Sequence, residues 1–153
     1  MANLDNYHPD NRPTEHQEQS YVIEWANMRS VTYPELALLF AIPNGTKAAY
    51  KRYKSGGKWK SFSPEGIKMK QEGLKPGVPD LFLPVSRFGW HGLFIEMKRV
   101  ASKGKKGGEV REEQNWWKEK LIEQHYCSVI CWGADDAINT ISNYLEIPAQ
   151  ERL

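Results

Sequence analysis

Cysteine is scarce in this chain of 153 residues: Cys127 and Cys131 are the only two. Both fall in the apolar run 126–132, and along an extended strand they would stand about 13 Å apart, too far for a disulfide. Two thiols do not make a zinc site, and His8, His16, His91 and His125 show no ligand spacing. The cysteines therefore read as small buried apolar residues in a reducing compartment. No apolar run is long enough to span a bilayer, and no signal-peptide pattern opens the chain. A cytoplasmic protein is the expectation. Net charge is also small, +2, which excludes a histone-like polycation while leaving open nucleic-acid binding through local clusters. No internal repeat or domain boundary is visible.

A chain of this length suits one domain and buries about 68–70% of its extended surface, enough for a core without staples. Residues 1–13 are polar, carry two prolines, and read as a loose arm ahead of a domain over 14–153. Thr14 has the character of a helix N-cap, with Gln17 in capping-box position. The helix it opens should reach about Met28. Its inward stripe contains Glu15, Gln19, Val22 and Ala26, acidic and polar at its first end. Either that first turn frays into water and Glu15 favours the helix dipole, or Glu15 hangs over a site.

Further along, Pro34–Leu39 suggests a helical turn and Leu39–Ile42 a strand ending at Pro43-Asn44-Gly45. Segment 45–61 has the composition of a mobile loop or ragged helix. Ser63-Pro64-Glu65 is a helix start, with the helix ending at Gly73. Two short strands follow at about 79–84 and 91–98. After the loop 100–108 a helix is expected from about Glu109 to Gln124, with Val110, Trp117 and Leu121 on its inner stripe. Gln114 shares that stripe, and a buried amide needs partners, which either the core or a site can supply. A strand over 126–132, a break at Gly133 and an amphipathic helix over 134–145 complete the order. Ala137, Ile138, Ile141 and Leu145 face inward in that last helix. Such alternation implies a mixed sheet with helices on both faces, an α/β fold.

The chemistry concentrates in the two motif strands, Gly77-Val78-Pro79-Asp80-Leu81-Phe82-Leu83 and Gly92-Leu93-Phe94-Ile95-Glu96-Met97-Lys98. Strand side chains alternate faces. Leu93, Ile95 and Met97 thus share one face; Phe94, Glu96 and Lys98 share the other. Residues two apart stand about 7 Å apart along a strand, so Glu96 and Lys98 can act on one small object. If the strands pair, Asp80 joins them. Two carboxylates beside a lysine suit a hard divalent cation next to an anionic substrate. A solvated strand face is the ordinary alternative for a Glu and a Lys at this spacing.

Basic residues flank this motif in two clusters. One holds Lys47, Lys51, Arg52, Lys54, Lys58 and Lys60; the other holds Lys98, Arg99, Lys103, Lys105, Lys106 and Arg111. One lysine-rich loop commonly serves solubility. Two loops flanking one carboxylate motif read as a footprint for a phosphate backbone.

Taken in order, these features resemble the PD-(D/E)XK nuclease superfamily, and within it the virus-type replication-repair nuclease (VRR-NUC) domain. Glu15 with Gln19, Pro43-Asn44-Gly45, Gly77-Val78-Pro79-Asp80, Ile95-Glu96-Met97-Lys98, Gln114 with Trp117, and the Cys127–Gly133 strand occur in family order over residues 14–146. The resemblance implies a restriction-endonuclease-like core and a magnesium- or manganese-dependent deoxyribonuclease. It makes Asp80 and Glu96 the main metal ligands, with the Met97 carbonyl completing the protein part and Glu15 supporting from the first helix. Lys98 would position the attacking water or stabilise charge on the phosphate, and an electrostatic role suits it better than that of a general base. Gln114 would orient the scissile phosphate or the lysine. It further implies a homodimer acting on branched DNA such as four-way junctions, with the small phage or bacterial form as the nearer comparison. An exonuclease, a flap nuclease or a non-catalytic DNA-binding module are the alternatives on the same fold. The basic segment 45–61 departs from the family pattern.

Overall fold

The computed structural model describes residues 13–43, 51–102 and 104–152. The first helix, α1 (Glu15–Arg29), is opened by the expected capping box: the Thr14 hydroxyl accepts from Gln17 N–H, and the Gln17 amide accepts from Thr14 N–H. A 3₁₀ turn over Pro34–Leu38 leads to β1 (Phe40–Ala41). Then come β2 (Lys51–Ser55), β3 (Lys58–Phe62), α2 (Pro64–Gln71), β4 (Leu81–Leu83), β5 (Leu93–Lys98), α3 (Glu112–Glu123), β6 (Cys127–Trp132) and α4 (Gly133–Tyr144).

The main sheet has the order β1-β4-β5-β6. The β1–β4 and β4–β5 pairs are antiparallel, and β5–β6 is parallel across the α3 crossover. This is the mixed sheet that the alternating element order implies. Register fixes its two faces. Leu81 lies opposite Ile95 and Leu83 opposite Leu93. With Met97 they form a face that is at most 1% exposed. Val22, Trp25 and Ala26 of α1 and Ala137, Ile141 and Tyr144 of α4 close over that core. On the other face Phe82 stacks on Phe94 at 4.1 Å between centroids, with Tyr126 edge-on to both. That face continues to Glu96 and Lys98 and is covered by α3, which packs on β6.

Several expectations are corrected. The part of the basic segment that is described, from Lys51 onward, is neither loop nor helix. It is an antiparallel hairpin of β2 and β3, turned at Gly56-Gly57. Both turn glycines have positive φ (58° and 76°), the backbone that the twist of a two-residue hairpin demands. Lys47 and the rest of 44–50, with Lys103 and the arm 1–12, lie outside the described residues. The third helix begins at Glu112 rather than Glu109, so Val110 precedes it, and none of its residues is fully buried. Its start is set by Gln114, whose side-chain carbonyl accepts from Arg111 N–H at 2.9 Å and ends the extended approach there. Gly133 is the first residue of α4, not a break before it. The carboxylate of Glu18, on α1, accepts from Ala134 N–H at 2.7 Å and satisfies an open amide of that helix end. The second helix ends at Gln71, short of Gly73.

Candidate active site

Asp80 stands one residue before β4, on the same side of the sheet as Phe82, Phe94, Glu96 and Lys98. Met97 has Cys131 of β6 as its strand partner on one side, but because β4 begins only at Leu81, no β4 residue lies opposite it on the other. The Asp80 side chain takes that place, its Oδ2 accepting from Met97 N–H at 2.8 Å. The Met97 side chain is buried in the opposite face at 1% exposure, so only its backbone can reach the site. In an extended strand the carbonyl of a residue points to the same edge as its N–H, which turns the Met97 carbonyl toward Asp80.

Glu96 and Lys98 are each 4% exposed, which disposes of the solvated-face alternative. Lys98 Nζ donates to Glu96 Oε1 at 2.9 Å. The Gln114 side-chain amide donates to the same oxygen. Since Gln114 Oε1 is already held by Arg111 N–H, its NH₂ is the end that faces the carboxylate. Glu96 Oε2 is buried and has no hydrogen-bond partner. An ionised oxygen left so is costly, and the Glu96 carboxyl is pushed up to about 7. Burial is the largest cause, followed by the nearby Asp80 charge. Lys98 pulls the other way, and Glu15 adds a small further rise.

Glu15 reaches the same place from the start of α1. Its Oε1 accepts a long hydrogen bond, 3.4 Å, from Arg99 N–H. Gly108 makes this approach possible: a Cβ there would lie 2.7 Å from Glu15 Oε1 and 3.1 Å from Lys98 Cδ. Glu15, Gly77, Val78, Asp80, Glu96, Lys98, Glu109, Arg111 and Gln114 together line a polar cleft of about 490 Å³. Five of the anticipated site residues are thus brought together from α1, β5, α3 and the turn before β4. The two alternatives left open in the sequence close: Glu15 borders the cleft, and the amide of Gln114 is satisfied by the site. Gln114 touches Glu96 rather than Lys98.

Sequence reasoning passed over Glu109, which lies in the cleft wall, and placed Arg111 only in the flanking basic cluster; the glycine pair 107–108 was the signal for both, since it marks where the chain bends back over the end of β5, Gly108 N–H donating to the Arg99 carbonyl. Of the anticipated backbone-binding residues, Arg52, Lys54, Lys58 and Lys60 lie exposed on the hairpin, and Lys51 belongs to its first strand. Lys105 and Lys106 are exposed beyond the end of β5. Arg99 is half-buried, its Nε donating to Pro13 carbonyl at 3.1 Å.

Among the described residues no group of three or more His, Cys, Asp and Glu side chains is arranged to hold a metal. The donor set nevertheless fits a hard cation. It comprises two adjacent carboxylates, a backbone carbonyl turned toward them, and a buried carboxylate oxygen without a partner. Magnesium characteristically takes only one or two protein carboxylates and completes its shell with water and phosphate.

No protein-family model matches this sequence, and no curated protein matches it. Among solved structures, a chain described as a VRR_NUC domain protein is similar in fold, with a TM-score of 0.65 and 24% sequence identity. The match covers 90% of this chain and 93% of that one. The fold seen here is therefore that of a VRR_NUC domain protein, as the order of motifs implied. No helix among the described residues is long and apolar enough to cross a membrane.

Proposed function

We propose, taking the shared VRR-NUC fold as premise, that this protein is a metal-dependent DNA endonuclease of the VRR-NUC family that acts on branched DNA. The observation that carries this reading is the buried, unpartnered Oε2 of Glu96, set beside Asp80 and Lys98 at the floor of a polar cleft. A module that only bound DNA would have no use for buried carboxylates facing a polyanion.

Asp80, Glu96 and the Met97 carbonyl would hold the cation, magnesium or manganese, with Glu15 in support. When bound, it supplies Lewis acidity toward the phosphate and a more acidic water. The chain's own groups do the rest. Lys98 sets positive charge against the phosphate and meanwhile holds Glu96 Oε1, which leaves Oε2 as the oxygen without a donor, available to a cation. Gln114 fixes the same oxygen from α3 and acts as a positioning residue. Arg111 extends the positive wall. The hairpin lysines and arginine, with Arg99, Lys105 and Lys106, would grip sugar-phosphate without reading bases, which favours recognition of shape over sequence. A homodimer would present two clefts related by a two-fold axis, suited to paired nicks in a four-way junction.

Asp80→Ala tests the reading. It should abolish cleavage of a labelled junction while binding persists. Product pattern separates the neighbouring readings: internal nicks near the branch mark an endonuclease, and progressive loss from an end marks an exonuclease. Undiminished cleavage by the variant would overturn the assignment.

A further inference from the structure

A second hollow adjoins the catalytic cleft, and its chemistry is different. Lys75, Pro76, Glu112, Glu113, Trp116 and Trp117 line a cavity of about 450 Å³, within the range of roughly 300–1,000 Å³ typical of ligand sites. The two cavities share a wall. Pro76 faces the second and Gly77 the first; Glu112 and Glu113 face the second, while Arg111 and Gln114 face the first. The wall is tightly built. The Trp117 indole N–H donates to Pro76 carbonyl at 3.0 Å. Gly77 has φ +83°, and a Cβ on it would lie 2.8 Å from the Glu113 backbone. Trp117 is thereby pinned, and it holds Trp116 edge-to-face at 5.4 Å between centroids and 89° between planes. Trp116 itself is 53% exposed.

An exposed tryptophan braced by a second one is a stacking platform. Its rim carries two carboxylates, Glu112 and Glu113, which accept hydrogen bonds from amino groups, and one cation, Lys75, which can meet the phosphate of the same nucleotide. The occupant that matches an aromatic floor and acceptor rim, one wall away from a phosphate-cleaving cleft, is a neutral flat ring bearing N–H donors. We infer that this hollow takes an unpaired nucleobase of the DNA strand entering the cleft, stacked on Trp116. Unpairing at a branch would free the base, so the hollow would contribute to selection of branched over continuous duplex. The inference rests on the nucleic-acid reading above and adds a residue to it.

Binding of the full chain in EDTA, where cleavage does not interfere, tests this. The probes are a fluorescein-labelled splayed-arm duplex, the same DNA with abasic sites at its unpaired positions near the fork, and a fully paired duplex. Trp116→Ala should weaken binding to the splayed duplex roughly tenfold, the order expected for losing one base–aromatic stack. It should leave the abasic and paired probes unchanged. Trp116→Phe should largely restore binding. Equal loss on all three probes, or no loss on any, overturns the inference. Should Trp116→Ala fail to fold, the wild type decides: abasic sites that cost it nothing also overturn the subsite. A protein that shows the Trp116 pattern but cleaves nothing overturns the nuclease reading and keeps the subsite. One that cleaves DNA with Trp116 indifferent loses only the subsite. Absence of DNA binding overturns both.

Discussion

Glu96 concentrates the electrostatic tension of this protein on one carboxyl group. Its Oε1 takes two donors, from Lys98 and Gln114, while Oε2 takes none. With its carboxyl at about 7 rather than the usual 4.5, the folded state keeps a proton that the unfolded chain releases between those values. The unfolded state therefore binds fewer protons in that window, and stability falls as pH rises through it. At 1.36 kcal/mol for each pH unit, the loss is about 3 kcal/mol for the metal-free protein between pH 4.5 and 7. Urea melts in EDTA at a series of pH values should show this decline, and Glu96→Gln should flatten it. A flat wild-type profile would contradict the assigned burial. Lys98→Ala removes a group that lowers the Glu96 value and should extend the decline to higher pH, besides abolishing cleavage. Much of this was legible in the sequence. Alternation on a strand is geometrically strict, so Glu96 and Lys98 had to share a face, and Asp80 had to join them once the strands paired. The polar interruption at Gln114 on an apolar stripe left core and site open, and only the structure shows its amide on Glu96. That partner was not legible, because Gln114 spends its carbonyl on its own helix end, a local choice that only the position of Arg111 reveals.

At the scale of elements, glycines set how closely the pieces approach. Gly77 has left-handed backbone and no room for a Cβ against Glu113. Gly77→Ala should cost about 1–3 kcal/mol through strain and overpacking, with activity reduced because the turn carrying Asp80 shifts. Thermal melts beside cleavage rates would check both, and unchanged values would contradict the packing described. The β2–β3 hairpin behaves oppositely: among the described residues it packs on no other element to any large extent, so its charge is separable from the fold. Replacing Arg52, Lys54, Lys58 and Lys60 by Gln should leave the melting temperature within a degree or two. DNA affinity should fall, and the salt dependence of binding should weaken by up to about 3–4 in slope if all four meet phosphate. An unchanged slope would remove the hairpin from the DNA interface. The hairpin was missed in the sequence because its lysines have the composition of a loop. Yet Gly56-Gly57 between two alternating runs is a hairpin signal. The cap that Glu18 places on α4 could not have been read at all, since its partner amide lies 116 residues away.

For the whole molecule, the sheet separates two tasks between its faces. Leu81, Leu83, Leu93, Ile95 and Met97 give one face to the core under α1 and α4. This permits the other face to hold Glu96 and Lys98 without apolar neighbours on every side. The overall α/β plan was legible because helical and strand periodicities alternate clearly along the chain. The adjacency of the polar cleft and the tryptophan-lined hollow comes from the turn before β4 meeting the start of α3, which no local pattern encodes. The most direct measurement is cleavage of an end-labelled immobile four-way junction, beside linear duplex and flap controls, in magnesium, in manganese and in EDTA, with Lys98→Ala in parallel. If the protein is the metal-dependent nuclease proposed, paired nicks should form near the branch and be absent in EDTA and in the variant. Binding without cleavage under every metal condition, or equal cleavage by Lys98→Ala, would contradict this proposal.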